Sequence, residues 1–486
     1  MVVQKPLKRE TIKIALVSLQ EIAERGPPIG LVCLATYLRE RKGIRNIRII
    51  DRHFDNVKEE LEKFSPDLVG ISSMTINYSS VLDFSRNFKE KSQIPLILGG
   101  VHISTLPESL DSCFDLGVIG EGEETFSEII DLYIKKQKFE SKDLMKIKSI
   151  VFRNKNKITE TPKRNAIELD TLPFPDFNFL NKTYFEKQPL PGVKEFVTPS
   201  FVITSRGCPY RCKFCSTAKF WGNFRLHSPE YVAKLIKHFI DKYDSNYITV
   251  LDDLFTISVE RLENIKIELE KLGILKKIKG MDCLPRTNLI NDKMCKIMKQ
   301  LKIKAVNFGF ESGSEKMLKW LKEGSVTVEM NKKAIRLCKK YGFIVFGSLI
   351  FGAPGEKIED MEKTVQFIDF AIKNKVDYIW IFIAMPYPAT IFWDIGLERG
   401  IVGNDSDWKS LDTTPNDKNV NNPPLLDDDV DKREFKNIFL KANSKLRKMR
   451  IQQMFVFIKT HPRRTLGLFL KNPSYYLTRV VERFYK

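Results

Sequence analysis

Short apolar runs alternate with amphipathic helical stretches along most of this chain, and they do so in two separate blocks. In the first, the runs lie at 12–19 (IKIALVSL), 47–51, 67–74, 94–100 and 116–124, and 29–41 carries the helical period. Apolar strands separated by helices predict a parallel sheet covered on both faces, a doubly wound α/β architecture. Such sheets bind ligands beyond the carboxyl ends of their strands. The polar or glycine-rich segments 72–75, 99–104 and 120–123 fall at those ends.

The pattern weakens over 131–195, which reads as a connector with a hairpin at 149–161 and a proline-rich stretch at 169–180. A second alternation starts at Phe201, with strands predicted at 201–205, 247–253, 277–284, 305–313, 344–352 and 378–386 and helices at 228–243 and 359–374. Six strand–helix units predict a partial (β/α)6 TIM-type barrel rather than a closed eight-unit one. After Gly400 the chain turns polar and rich in Asn, Asp and Pro (404–431), as a linker or surface loop would be, and then basic. The expected division is 1–135 for the first α/β domain, 136–195 for the connector, 196–400 for the barrel, and 401–486 for a linker and helical basic tail.

Charge sharpens the picture only at the C-terminus. Of the net +19, residues 432–486 hold +13, from fifteen Lys and Arg against Glu434 and Glu482. Phe435, Ile438, Phe439, Ala442 and Leu446 fall on one helical face there, and Pro462 and Pro473 are expected to break the tail into three short helices. A basic amphipathic helix lies on an anionic membrane surface or on nucleic acid, or caps its own domain. The aliphatic and aromatic content, including MFVFI and LGLFL, favours lipid, so a membrane-surface contact through 432–486 is expected and nucleic acid is not. With no leader-like start and no run of apolar residues long enough to span a bilayer, the expected location is cytoplasmic, peripheral to a membrane at most. Scattered cysteines in a large chain of this kind are expected as thiols, and as metal ligands where they cluster.

They cluster once. The stretch RGCPYRCKFCS (206–216) places Cys208, Cys212 and Cys215 directly after the first barrel strand, where barrel chemistry gathers. Three thiolates on one short loop suit three corners of a cubane iron–sulfur cluster, leaving one iron without a protein ligand. The alternative is a structural zinc site closed by a distant Cys or His, because such sites are four-coordinate.

The segment TSRGCPYRCKFCSTAKFWGNFRLHSPE (204–230) resembles the cluster signature of the radical-SAM superfamily, in the cobalamin-binding branch of class B methylases and BchE-like cyclases; the likeness spans roughly 12–400. The resemblance implies that S-adenosylmethionine fills the open iron of a [4Fe-4S] cluster and is cleaved reductively to a 5′-deoxyadenosyl radical, under anaerobic conditions and with a flavodoxin- or ferredoxin-type electron donor. It implies an adenine contact for Phe214, which is otherwise core. It places Asp252 and Asp253, in LDDLFT, near the S-adenosylmethionine site as catalytic carboxylates, where the alternative is a solvated strand end. It makes Glu311, in FGFESGS, a ribose ligand rather than a surface turn, and Gly352, in GSLIFGAPGE, a point of close backbone approach to the adenine. Residues 386–400 resemble the end-of-barrel segment and are expected in the substrate wall.

The first domain resembles corrinoid-binding domains. Ser72 and Ser73 precede the Gly99–Gly100 pair at about the family's spacing, with Met74 in place of leucine, and His102 follows in GGVHIS. These residues are implied to line a cobalamin cleft. The loop after the first strand (20–30) has no histidine, so cobalamin would be held without a histidine lower ligand; His53 follows the second strand and is read as a surface residue. The implied function is cobalamin-dependent C-methylation, or radical ring or carbon–carbon bond formation, on a small apolar, membrane-associated substrate such as a lipid, isoprenoid or tetrapyrrole. The competing classes are an RNA-modifying radical-SAM enzyme and a sensor without turnover.

Overall fold

A computed structural model of the chain describes residues 7–20, 26–155, 157–404 and 406–460, with side chains as far as Ile451. The first sheet has seven strands: β1 (Lys13–Ser18), β2 (Asn46–Asp51), β3 (Leu68–Ser72), β4 (Leu96–Gly99), β5 (Leu116–Val118), β6 (Ile150–Asn154) and β7 (Lys157–Glu160), in the order β2-β1-β3-β4-β5-β6-β7. The first five run parallel, with β1 between β2 and β3, so the order reverses there. Helices α1 (Ile29–Lys42), α2 (Val57–Phe64), α3 (Tyr78–Lys89), α4 (Val101–Thr105) and α5 (Gly122–Lys136) connect them. All of β1 past Lys13 is buried, as expected of a strand covered on both faces.

The hairpin read as part of a connector belongs to this sheet: β6 pairs antiparallel with β5, Gly117 opposite Val151, and β7 with β6. Gly117 is required at that joint, because a Cβ there would lie 2.7 Å from Ile103 and 2.8 Å from Val151.

The second sheet has six strands, which lie in chain order: β8 (Pro199–Val202), β9 (Tyr247–Val250), β10 (Gly280–Cys283), β11 (Ile303–Glu311), β12 (Ile344–Phe351) and β13 (Tyr378–Ile383). Strands β8 and β9, β11 and β12, and β12 and β13 pair in parallel. By contact density the chain forms two compact units, one comprising Met1–Phe255, Glu260–Met281 and Pro386–Asp412, the other Thr256–Val259, Asp282–Met385 and Thr413–Lys486. The first unit is therefore discontinuous. Its core takes in Trp393, Val402, Trp408 and Leu411 beside Tyr78, Val81 and Leu106.

Two expectations for the C-terminal region change. Residues 404–431 are not a free linker, since Trp408, Leu411, Val420, Leu425, Leu426 and Val430 are buried. A continuous helix then runs from Lys432 to Thr460, 29 residues long, in place of a first short one. The face carrying Phe435, Ile438, Phe439, Ala442 and Leu446 is buried within the second unit, where this helix packs on Ile358–Lys373 and Phe439 meets Phe351 at 5.5 Å. Burial of each large apolar side chain contributes roughly 1.5–3 kcal/mol, so this face is spent on the second unit's own core and is not the lipid-facing surface expected of it. Pro462 and Pro473 lie outside the described residues.

Candidate active site

The cysteine loop is held shut at its neck. Ser205–Arg206 pairs antiparallel with Arg225–Leu226, Ser205 opposite Leu226 and Arg206 opposite Arg225. Gly207 turns the chain with φ of +90°, a conformation that glycine adopts at no steric cost. Cys208, Cys212 and Cys215 follow, all half-buried and none in a disulfide. The Cys215 amide donates to the Cys212 carbonyl at 3.1 Å, and the helix Thr217–Trp221 begins two residues later. Burial raises the Cys215 thiol, and contacts from Thr217 partly offset this. Among the described residues no three His, Cys, Asp or Glu side chains converge on a single metal ion. Soft thiol donors on one short loop fit an iron–sulfur cluster.

Asp252 and Asp253 sit beneath this loop with different surroundings. Asp252 is 1% exposed. It accepts from the backbone N–H of Thr204 at 2.6 Å and of Ser205 at 3.2 Å, and from the Thr204 hydroxyl. Burial raises its carboxyl, against these hydrogen bonds and the charge of Arg261. Arg261 in turn donates to the carbonyls of His227 and Thr204. Asp252 thus braces the strand end from which the loop departs. Asp253 is exposed and accepts from Thr217 Oγ1 at 3.4 Å, so it is the carboxylate of the pair that reaches the loop's outer side. Phe214 is half-buried, 6.3 Å from the ring of Phe392, and the Ile391 amide donates to the Lys213 carbonyl. Residues 386–400 therefore support the cysteine loop.

The strand ends of the first sheet make a tight loop of their own. Gly100 has φ of +97°, and a Cβ there would lie 2.4 Å from the Ser73 carbonyl oxygen and 3.0 Å from Ser72 Oγ. Gly99 accepts from the Ser73 amide, and the His102 amide donates to the Ser73 carbonyl, so the two segments interlock through backbone. Ser73 is buried with its hydroxyl turned to the Met74 carbonyl and Asn77, while Ser72 and the glycines remain partly accessible. The short helix α4, which follows these glycines, contacts the helix Thr217–Trp221, which follows the cysteines.

His102 does not line an open cleft. It is wholly buried, its Nδ1 lies 3.2 Å from Thr75 Oγ1 and its Nε2 3.1 Å from Ser109 Oγ, and its ring packs 3.8 Å from Tyr78 and 4.7 Å from Trp408. It holds the loop from below. Burial pushes its pKa down to about 3 from 6.5. As pH falls below 6.5 the unfolded chain binds a proton that the folded chain refuses, so stability declines towards pH 3 by up to about 1.4 kcal/mol per pH unit. His102→Asn is expected to flatten that slope, leaving the share of His227, which burial also lowers, to about 4. Thermal melts of both proteins between neutral and mildly acidic pH measure this, and equal slopes would refute it.

In the second unit, Glu311 ends β11 in a left-handed conformation, with φ of +60°, and pairs with buried Lys322 at 3.1 Å; Lys322 Nζ also donates to the Gly309 carbonyl at 2.7 Å. Sequence reasoning missed Lys322, which lies eleven residues on with no motif of its own. Gly352 has φ of +74°, and its Cβ position is bounded by Pro423 at 3.3 Å and Phe435 at 3.4 Å, so the close neighbours there are the C-terminal cap. Its amide donates to Glu356, whose carboxyl burial pushes up to about 8. On β12 and β13 the alternate residues Phe346, Ile350, Tyr378, Trp380 and Phe382 are left half-buried or exposed, while Val345, Leu349, Ile379 and Ile381 are buried.

A doubly wound sheet with a glycine loop at its strand ends, followed by parallel strands whose first loop carries three accessible thiols, defines a two-cofactor α/β class. Comparison with known proteins agrees. Residues 16–130 match the B12 binding domain and 202–368 the Radical SAM superfamily. The chain is 31% identical over 392 residues to a methyltransferase of Pyrococcus horikoshii, itself uncharacterised, covering 78% of this chain and 81% of that one. It is 28% identical over 358 residues to the anaerobic magnesium-protoporphyrin IX monomethyl ester cyclase of Rubrivivax gelatinosus, covering 71% and 62%. The fold is shared with the radical S-adenosylmethionine methyltransferase TsrM of Kitasatospora setae, whose structure holds cobalamin and a [4Fe-4S] cluster, with a TM-score of 0.63 at 18% identity over 79% of this chain and 74% of that one. The chain belongs to the radical SAM superfamily, in its branch of enzymes with a B12 binding domain.

Proposed function

We propose that this enzyme is a cobalamin-dependent radical-SAM methyltransferase that methylates an unactivated carbon of an apolar substrate. One observation carries the reading: a loop of three accessible thiols lies, within a single compact unit, against the strand-end loop of a B12-type sheet, α4 touching the helix that follows the cysteines. The likeness to the Pyrococcus methyltransferase favours methyl transfer over cyclisation.

Cys208, Cys212 and Cys215 would hold the cluster, and Ser72, Gly99 and Gly100 would lie along cobalamin, where only glycine keeps the backbone clear of a large planar ligand. Bound, these groups supply a low-potential electron and a methyl carrier. The chain's own contribution is positioning. Asp252 fixes the loop's origin, and Asp253 would orient an ammonium group or take a substrate proton. Phe214 would flank the adenine of S-adenosylmethionine; in the second unit, taken by itself, Lys322 holds Glu311 and Gly352 turns the chain after β12. The aromatic and aliphatic positions left open on β12 and β13 support an apolar substrate, with Phe346 beside Tyr378 and Ile350 beside Phe382 in register. A membrane contact, if the substrate is a lipid, falls to the sequence after Ile451.

The test is cobalt content after anaerobic purification from cells supplied with hydroxocobalamin. Equimolar cobalt with a base-off visible spectrum is expected, the latter because the loop after the first strand, 20–30, contains no histidine. An intact cluster without cobalt would overturn methyl transfer and favour direct hydrogen abstraction.

A further inference from the structure

The loop at the end of β5 is acidic, yet its carboxylates are turned into the protein. Glu121 stands at the N-cap position of α5 and Glu123 lies in its first turn, where the helix dipole favours negative charge. Their side chains are only 15% and 7% exposed. Both are taken by Arg206, itself 8% exposed, which binds Glu121 through one terminal nitrogen and Glu123 through the other at 2.6 Å. Arg225 adds a second bond to Glu121 at 2.8 Å and donates to the Ile167 carbonyl, while the Ile167 amide donates back to Glu121. The Arg206 guanidinium also lies over the ring of Trp221, 5.4 Å from its centroid. Arg206 and Arg225 are the residues paired across the neck of the cysteine loop.

Two carboxylates and two guanidiniums neutralise one another, and two short segments of chain are bound together by them. Buried ion pairs contribute little net stability compared with apolar packing of equal volume, because desolvation offsets their attraction. What they do impose is geometry, since a guanidinium bound by two carboxylates has one orientation. The neck of the loop cannot slide along the strand ends of the first sheet without breaking two bonds at once.

We propose that Glu121, Glu123 and Arg206 are positioning residues that lock the cysteine loop in one register against the strand-end loop of the first sheet, so that filling one cofactor site prepares the other. The inference rests on the cofactor assignment above. By linkage, a cluster that orders the neck tightens cobalamin binding by the factor with which cobalamin tightens the cluster's site.

Hydroxocobalamin affinity of the full chain, read from the visible spectrum under anaerobic conditions, is measured with the cluster absent and after iron–sulfur reconstitution. Reconstitution is expected to tighten binding about fivefold or more in the wild type, the lower range of measured couplings. In the Glu121→Gln/Glu123→Gln double variant the tightening vanishes, while the cluster-free chain binds hydroxocobalamin as the wild type does. Arg206→Lys keeps the charge but not the two-pronged grip, and gives an intermediate factor; it also decides the matter if the double variant does not fold. Equal affinities for the two wild-type forms, or full tightening in the folded variants, would overturn the lock. Absence of binding in both wild-type forms would instead overturn the cobalamin assignment itself.

Discussion

Replacing Cys212 with serine is expected to leave a folded chain that assembles no cluster. The thiol is half-buried, makes no disulfide, and sits on a loop whose shape is set elsewhere: by the Ser205–Arg206 clasp, by Asp252 and by the Ile391 amide. Serine fits the same space, but its hydroxyl is a hard, protonated donor that does not replace a thiolate on iron. Melting should therefore shift by less than about 1 kcal/mol. Iron and acid-labile sulfide should fall to background, and reductive formation of 5′-deoxyadenosine should drop about a thousandfold or more. Retention of a full iron complement would show that the ligand set is not the one named here.

The second large effect belongs to Asp252. Its carboxylate satisfies two backbone amides and a hydroxyl and faces the guanidinium of Arg261. Truncation to alanine strands these donors in a site with no water access, a change that costs about 3–5 kcal/mol when a buried charge loses its partner. Asp252→Ala is expected to lower the unfolding free energy by that amount, read from denaturant melts, and to expose 204–226 to proteolysis. Asp252→Asn, which keeps one acceptor oxygen, should lose about half as much. If the alanine variant melts like the wild type but no longer turns over, Asp252 is a catalytic group and its role as a brace is refuted.

Strand and helix periods were readable in the chain wherever the apolar pattern is local. β1, β3 to β5, β9, β10, β12 and β13 fall within the runs that alternation picks out, β2, β8 and β11 begin one or two residues before theirs, and the cysteine signature is contiguous, so that 204–230 carries the resemblance that implies its chemistry. The parts that escaped depend on partners distant in sequence. Residues 149–161 read as a hairpin, but nothing in them says that Val151 pairs with Gly117. The Asn- and Asp-rich stretch reads as a loop because its buried residues, Trp408, Leu411, Val420 and Leu425, are too widely spaced to show a period. In the basic tail the apolar face was legible, but what covers it was not. The pairing of Glu121 with Arg206 spans 85 positions, and Lys322 with Glu311 belongs to no motif. His102 was placed on the right loop but on its wrong side, because a Gly-Gly-x-His string gives no sign of whether the ring turns outward or beneath.

The return of residues 386–412 to the first unit bears on how this protein is made. Trp408 packs on Tyr78 at 5.8 Å, on His102 and on Trp393, closing the core beneath the glycine loop. On the ribosome that indole arrives roughly 130 residues after the preceding piece of the unit ends at Met281, a wait of about 6–25 s at ordinary elongation rates. Through that interval the nascent first unit carries an uncovered apolar patch around Tyr78, and the long loop that must close over it is an entropic delay as well. Chains cut short before Trp408 should therefore collect on holdase chaperones, and productive expression should improve when translation is slowed or chaperone capacity is raised.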